Sequence, residues 1–287
     1  MAYIPDWLPG TAWKRVVREW GKEKDSMLGV AYKPAKTRIA AGQDQISVVA
    51  SMKREAEALG LPPNEVDSYL SNTAFSLLVG GTDPTATALL IFTMAMTLFP
   101  QVQQRAQKEI YAVVGPNRLP TMKDRPQLAY IERLVQELLR WRPVVPMGLP
   151  HACVQDDVYQ GKFIPQGTVM AMNHDQDVYK NPETFDPDRF LNPNTPAPPT
   201  FGFGGRICPG ALLAKETLFL SIASMLTAFT ISRAENDNKE IDTMEGKPDH
   251  LAYHPKPFKV KLTPRPNANR IIREAPLIDQ VYSRVVN

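Results

Sequence analysis

Ten residues constrain this chain more than any others. Phe201-Gly202-Phe203-Gly204-Gly205-Arg206-Ile207-Cys208-Pro209-Gly210 is a glycine-rich loop that carries one cysteine and runs straight into the apolar stretch Ala211 to Phe229. Three glycines ahead of the cysteine permit backbone angles and close approaches that a side chain would block. Pro209 suits the first turn of a helix, where its missing N–H is not needed. The sequence therefore predicts Cys208 just ahead of, or within, that first turn, where several amide N–H groups lack helical partners. Peptide dipoles and free donors there favour a thiolate over a thiol.

A thiolate placed in this way has few uses. A redox pair needs a second cysteine, and the other one, Cys153, is distant and in a different kind of segment. Thiolate zinc sites need several ligands at short spacing, which this sequence lacks. A nucleophilic cysteine needs a histidine base, which can come from anywhere in the chain; such a hydrolase would work without any cofactor. A single axial thiolate to a haem iron is a further use. A buried structural cysteine after a glycine turn is the plain alternative.

The loop has companions. Phe201, Gly204, Arg206, Cys208 and Gly210 match, in order and spacing, the haem-binding signature of the cytochrome P-450 superfamily. Glu137-Leu138-Leu139-Arg140 is similar to that family's Glu-x-x-Arg helix, and Pro187-Asp188-Arg189-Phe190 to its Pro-Glu-Arg-Phe segment, with Asp for Glu. Gly80-Gly81-Thr82-Asp83-Pro84-Thr85 resembles its oxygen-side helix motif. The sequence around these motifs resembles fungal members in particular. The likeness begins near the middle of the family's longer chains and continues almost to their end.

The resemblance implies a mainly α fold with small β sheets. It implies a partial cytochrome P-450 fold: central helix, Glu-x-x-Arg helix, meander, cysteine loop and following helix. It implies a single partial domain over 1–287, with 268–287 a helical, disordered or divergent tail. The implied cofactor is haem, iron protoporphyrin IX with Cys208 as axial thiolate and metal ligand. Phe201, Gly202, Arg206, Gly81 and His151 are the implied cofactor contacts, Arg206 and His151 at the propionates. Glu137, Arg140 and Arg189 are implied as a structural clamp behind the thiolate loop, and Val145 to Leu149 as lining of the substrate side. The implied reaction inserts one oxygen atom of O2 into an apolar organic substrate, with electrons from an NADPH-dependent flavin reductase. A full-length relative sits on the cytosolic face of the endoplasmic reticulum membrane. Its anchor lies in an N-terminal part that has no counterpart here.

One position departs from the pattern. Directly after the acid, the family's proton-delivering threonine is replaced by Pro84. Asp83 keeps the acid, and Thr85 keeps a hydroxyl, but one residue along a helix turns the side chain by about 100°. Asp83 and Thr85 are the catalytic candidates. A peroxide-dependent enzyme and a truncated or degenerate non-catalytic haem-binding fragment stand as alternatives.

Composition excludes some classes. With 33 basic and 30 acidic side chains the net charge is +3, too modest and too evenly mixed to argue for nucleic acid. Two distant cysteines do not describe a disulfide-stapled secreted domain. The N-terminus shows no signal peptide and no apolar run long enough to cross a bilayer, and a membrane-spanning segment is not expected.

Periodicity predicts helices over 11–27, 33–48 and 52–59, the last ended by Gly60 and Pro62-Pro63. A long apolar helix is expected from Glu65 to Phe99. Its serines, paired glycines and Asp83 favour a buried helix, kinked and interrupted at Pro84, over a membrane span. Further helices are expected from Pro100 to Val114, with Gln101, Gln104, Arg105 and Lys108 on a solvated face, and from Leu128 to Trp141. Residues 157–170 read as strands joined by glycine turns, and 171–175 are shorter than the family pattern. Proline-dense 181–200 reads as an irregular meander. The stretch 211–229 reads as a helix apolar nearly all round and enclosed in a core, and Phe258 to Leu262 as a short strand.

Overall fold

The two helices expected over 11–27 and 33–48 are one. In the computed structural model, which describes residues 10–44, 46–146, 148, 153, 155–166, 177–235, 241–243, 246 and 252–275, α1 spans Trp13–Ala40 and passes through Pro34. The linking residues 28–32 contain Leu, Val and Ala with a single glycine, a cost of about 1 kcal/mol that does not stop a helix. Val48 begins the next helix instead of ending this one. α2 covers Val48–Ala58, with Ser47 accepting the Ala50 N–H at 3.1 Å as N-cap. It ends as expected at Gly60, whose φ of +72° suits a glycine. α3 spans Pro63–Leu98 as one helix of 36 residues with Pro84 inside it.

The chain divides into two compact units, Met1–Asp83 and Pro84–Asn287. In the first, Tyr32, Ala56, Val66, Leu70 and Ala74 form a small core. The Tyr32 hydroxyl donates to Asp67 at 2.7 Å, and Lys36 pairs with the same carboxylate. Both contacts hold the Asp67 carboxyl below its ordinary range, while burial and the neighbouring carboxylate push the Tyr32 phenol up.

The second unit is built on the C-terminal part of α3, α4 (Pro100–Val113), α5 (Ala129–Trp141) and α6 (Ala211–Ala228). Ile91, Phe92, Met94 and Met96 meet Ile110, Ile131, Leu134, Phe219, Ile222 and Leu226 in one buried cluster. Phe99, Trp141 and Phe185 stack at ring separations of 5.5–5.8 Å, mostly edge-on. β1 (Asp157–Tyr159) and β2 (Lys162–Ile164) form a hairpin around Gln160 and Gly161, both with positive φ. β3 (Phe229–Arg233) follows α6 without a break and pairs antiparallel with β4 (Val260–Pro264). α7 (Ala268–Glu274) packs on α6 through buried Ala268 and Ile271, so the start of the expected tail is helical. The expected strand ending at Met170 and the shortened segment 171–175 lie outside the described residues.

Gln101, Gln104, Arg105 and Lys108 lie on the solvated face of α4, as the pattern predicts, while Gln103 is buried. Its amide oxygen accepts the Ile231 N–H at 2.7 Å and its nitrogen donates to the Ile231 carbonyl at 2.8 Å. It thus completes the edge of β3 as a neighbouring strand would. Gln103→Leu is expected to cost about 2–4 kcal/mol, because two buried backbone groups lose their partners. A urea midpoint shift at unchanged slope would measure it.

Ahead of α5, Asp124 accepts from Arg118 Nη2 and Nη1 at 2.6 and 2.7 Å and from the Thr121 N–H and hydroxyl. The Arg118 guanidinium holds its carboxyl well below the usual carboxylate range, against the opposing effect of burial. A depressed folded value means the stabilisation is full above the unfolded value of about 3.9 and is lost as pH falls below it. Melting temperatures of wild type and Asp124→Asn should therefore differ most at neutral pH and converge in acid. A gap that widens in acid would refute this.

Two expectations for the apolar helices need correction. α3 is neither interrupted nor buried at its centre: Leu77, Leu78 and Val79 are 44–47% exposed. A proline removes one N–H and crowds one carbonyl, and the flanking turns keep their own bonds, so the helix continues. By length and composition α3 and α6 are both long and apolar enough to cross a membrane, a test that the core helix of a soluble protein also passes. α6 is not enclosed all round either. Leu218, Phe219, Ile222 and Leu226 are buried in the second unit's core, but Leu212 and Leu213 near its start are 69% exposed.

Candidate haem-thiolate site

The cysteine loop is folded by its own backbone. Gly202, at φ +75°, donates to the Pro199 carbonyl at 2.9 Å, and Gly204, at φ +57°, opens a single 3-10 turn to Arg206. Ile207 N–H returns to the Gly204 carbonyl at 3.2 Å, and Cys208 N–H closes the loop on the Phe201 carbonyl at 2.8 Å. Two left-handed positions within three residues explain why glycine recurs here. Pro209 lies outside the helix in the turn that leads to it. The Ala211 N–H bonds the Cys208 carbonyl at 3.2 Å, so Cys208 stands three residues ahead of α6.

Cys208 is an exposed free thiol, and Cys153 is also unpaired. Around Cys208 in sequence, Phe203, Ile207, Leu212 and Leu213 expose 53–69% of their surface, an unusual concentration of bare apolar side chains. Arg206 is exposed among them, and Phe201 is half-buried against the core with Lys215 Nζ 5.5 Å from its ring centre. A thiol at a helix start, an apolar surface and one cation fit haem, a flat apolar ring with anionic edge groups and an iron that accepts a soft ligand.

On α5, Glu137 and Arg140 are fully buried and joined by two bonds of 2.8 Å. Three residues apart on α5, they share a face. The third expected member, Arg189, brings Nε to 3.4 Å from Glu137 and donates to the carbonyls of Lys180, Asn181 and Thr184. Arg140 donates to the Pro182 carbonyl at 2.8 Å, and Glu137 accepts the Asp186 N–H at 2.8 Å. Arg140 Nη1 is buried without a hydrogen-bond partner, and the guanidinium lies 5.4 Å from the Tyr179 ring centre. The cluster grips residues 180–189 and makes no hydrogen bond to the cysteine loop. That tie belongs to Thr200, whose hydroxyl donates to the Leu139 carbonyl at 2.9 Å. No sequence reading singled it out.

The sequence model of cytochrome P450 matches residues 2–262 of the chain. The chain belongs to the cytochrome P450 family. It is similar to cytochrome P450 monooxygenase 208 of Postia placenta, 38% identical over 276 residues, covering 92% of this chain and 53% of that protein. It is likewise 38% identical over 283 residues to cytochrome P450 monooxygenase claR of Ampulloclitocybe clavipes, covering 94% of this chain and 52% of the relative. A solved zebra fish cytochrome P450 with abiraterone matches at a TM-score of 0.61 and 33% identity, over 69% of this chain and 49% of that one. The chain spans about half the length of the curated relatives it matches.

A cytochrome P450 uses haem ligated by a cysteine thiolate. The remaining expected site residues of this P450 chain fall in different places. Gly81 and Asp83 are exposed on α3 in the first unit, and a Cβ added at Gly81 would meet no atom within 4 Å. Thr85 belongs to the second unit and is half-buried. Two helical steps put the Asp83 and Thr85 side chains roughly 160° apart around α3. His151 and most of the expected substrate lining beyond Pro146 lie outside the described residues.

Proposed function

We propose that this chain carries the thiolate-bearing half of a haem-dependent monooxygenase. The reaction inserts one oxygen atom of O2 into an apolar organic substrate, with electrons from an NADPH-dependent flavin reductase. The observation that carries this reading is the exposed Cys208, set on a loop closed at the Phe201 carbonyl and ringed in sequence by bare apolar side chains. When bound, haem supplies the redox-active iron at which O2 is activated, and a thiolate ligand favours O–O cleavage. Cys208 Sγ is the ligand atom, and Arg206 offers a guanidinium to a propionate. Phe203, Ile207, Leu212 and Leu213 exclude water from the ring. Asp83 holds the proton-donating carboxyl on α3, with the Thr85 hydroxyl two residues further along the chain. The setting proposed for the full-length enzyme is the cytosolic face of the endoplasmic reticulum membrane.

Pro84 favours a second reading. It offers neither hydroxyl nor N–H where the family delivers protons, which suits a peroxide-dependent enzyme or a non-catalytic haem-binding fragment. The test is the reduced, carbon monoxide-bound absorption spectrum after expression with a haem supply, followed by turnover with reductase and NADPH or with peroxide. A thiolate-type Soret band and reductase-driven turnover are expected. Turnover with peroxide alone would select the second reading, and absence of bound haem would sink both enzyme readings.

A further inference from the structure

α5 holds the buried ion pair and the cysteine loop through different atoms. Glu137 and Arg140 bond the backbone of Pro182 and Asp186. Residues 199–210 bond mainly one another, through Gly202 to Pro199, Ile207 to Gly204 and Cys208 to Phe201. Among the described residues, one side-chain hydrogen bond leaves this loop for another element: Thr200 to the Leu139 carbonyl. Leu139 lies in the last turn of α5, where carbonyls lack helical donors. The residue four places on, which would supply the donor if the helix continued, is Pro143, and proline has no N–H. The Thr200 hydroxyl therefore fills an acceptor that the helix cannot fill itself. Leu139 adjoins Arg140, and Thr200 adjoins Phe201, whose carbonyl receives the Cys208 N–H.

We propose that Thr200 is a positioning residue for the thiolate. Its hydroxyl anchors the cysteine loop to the helix of the buried ion pair and sets where the Cys208 sulfur stands. The role toward haem rests on the haem-thiolate reading; the anchoring itself does not. Thr200→Val keeps the shape and loses the donor, and Thr200→Ser keeps the donor.

Amide hydrogen exchange on the whole chain without added haem should rise about 3- to 10-fold in peptides covering 200–210 of Thr200→Val, the loss of one net hydrogen bond. Thr200→Ser should match wild type, and peptides from α5 and α6 should be unchanged. With haem supplied, a smaller fraction of the Thr200→Val carbon monoxide complex should show the thiolate-type band, restored in Thr200→Ser. Equal exchange in 200–210 across all three proteins would overturn the proposal. So would acceleration spread evenly over the loop, α5 and α6, which marks global loosening. A wild-type chain that binds no haem defeats the haem-thiolate reading alone and leaves the exchange contrast to decide the anchor.

Discussion

Cys208→Ala, expressed with a haem supply, is expected to lose the thiolate-type Soret band of the reduced carbon monoxide complex completely. Alanine has no atom that can ligate iron. The loop need not collapse with the substitution, since its closing bond is made by the Cys208 backbone N–H. Circular dichroism of the variant should therefore match wild type, which separates loss of a ligand from loss of fold. Cys153→Ala is the matched control, because it removes the other free thiol and should keep the band. Survival of the band in Cys208→Ala would show that the ligand lies elsewhere and would remove the basis of the proposed function.

The second large effect is on stability. Glu137→Ala is expected to cost about 3–5 kcal/mol, because it strands the Arg140 guanidinium in a fully buried site with its charge uncompensated. The Asp186 N–H loses its acceptor in the same step. Against a typical domain stability of about 5–15 kcal/mol, one such loss is a large fraction of the whole. Replacing Glu137 and Arg140 together by leucine should cost less than the sum of the two single changes, because no lone charge remains. Urea titration of the four proteins would measure the coupling. Strict additivity would mean that the pair contributes packing and no electrostatic coupling.

Long elements were legible from pattern alone. The helices over Pro100–Val113 and Ala129–Trp141 fall within a residue or so of their expected bounds, because proline, glycine and apolar periodicity are local signals. α1 and α3 show the limit of the same signals. Pro34 and Pro84 sit inside continuous helices, since the cost of a proline is finite and the turns around it can outweigh it. β3 was not expected, because the alternation of Phe229 and Ile231 with Thr230 and Ser232 lasts only five residues and directly abuts α6, and its strand character depends on pairing with Val260–Pro264.

The candidate site divides along the same line. Residue types in order were enough to mark the cysteine loop, because its geometry is made within ten residues: two left-handed glycines and a bond from Cys208 to Phe201. The same held for the Glu137–Arg140 pair, which share a helix face by spacing alone. Their surroundings came only from the folded chain. Glu137 meets Asp186 across 49 positions, Thr200 meets Leu139 across 61, and Gln103 meets Ile231 across 128. In each case a side chain bonds a backbone N–H or carbonyl. Nearly every residue carries those groups, so no residue type at the partner position announces the contact. Chemistry borne by side chains can be read in a linear sequence, whereas partners supplied by the backbone exist only once tertiary packing has brought one particular peptide unit within reach.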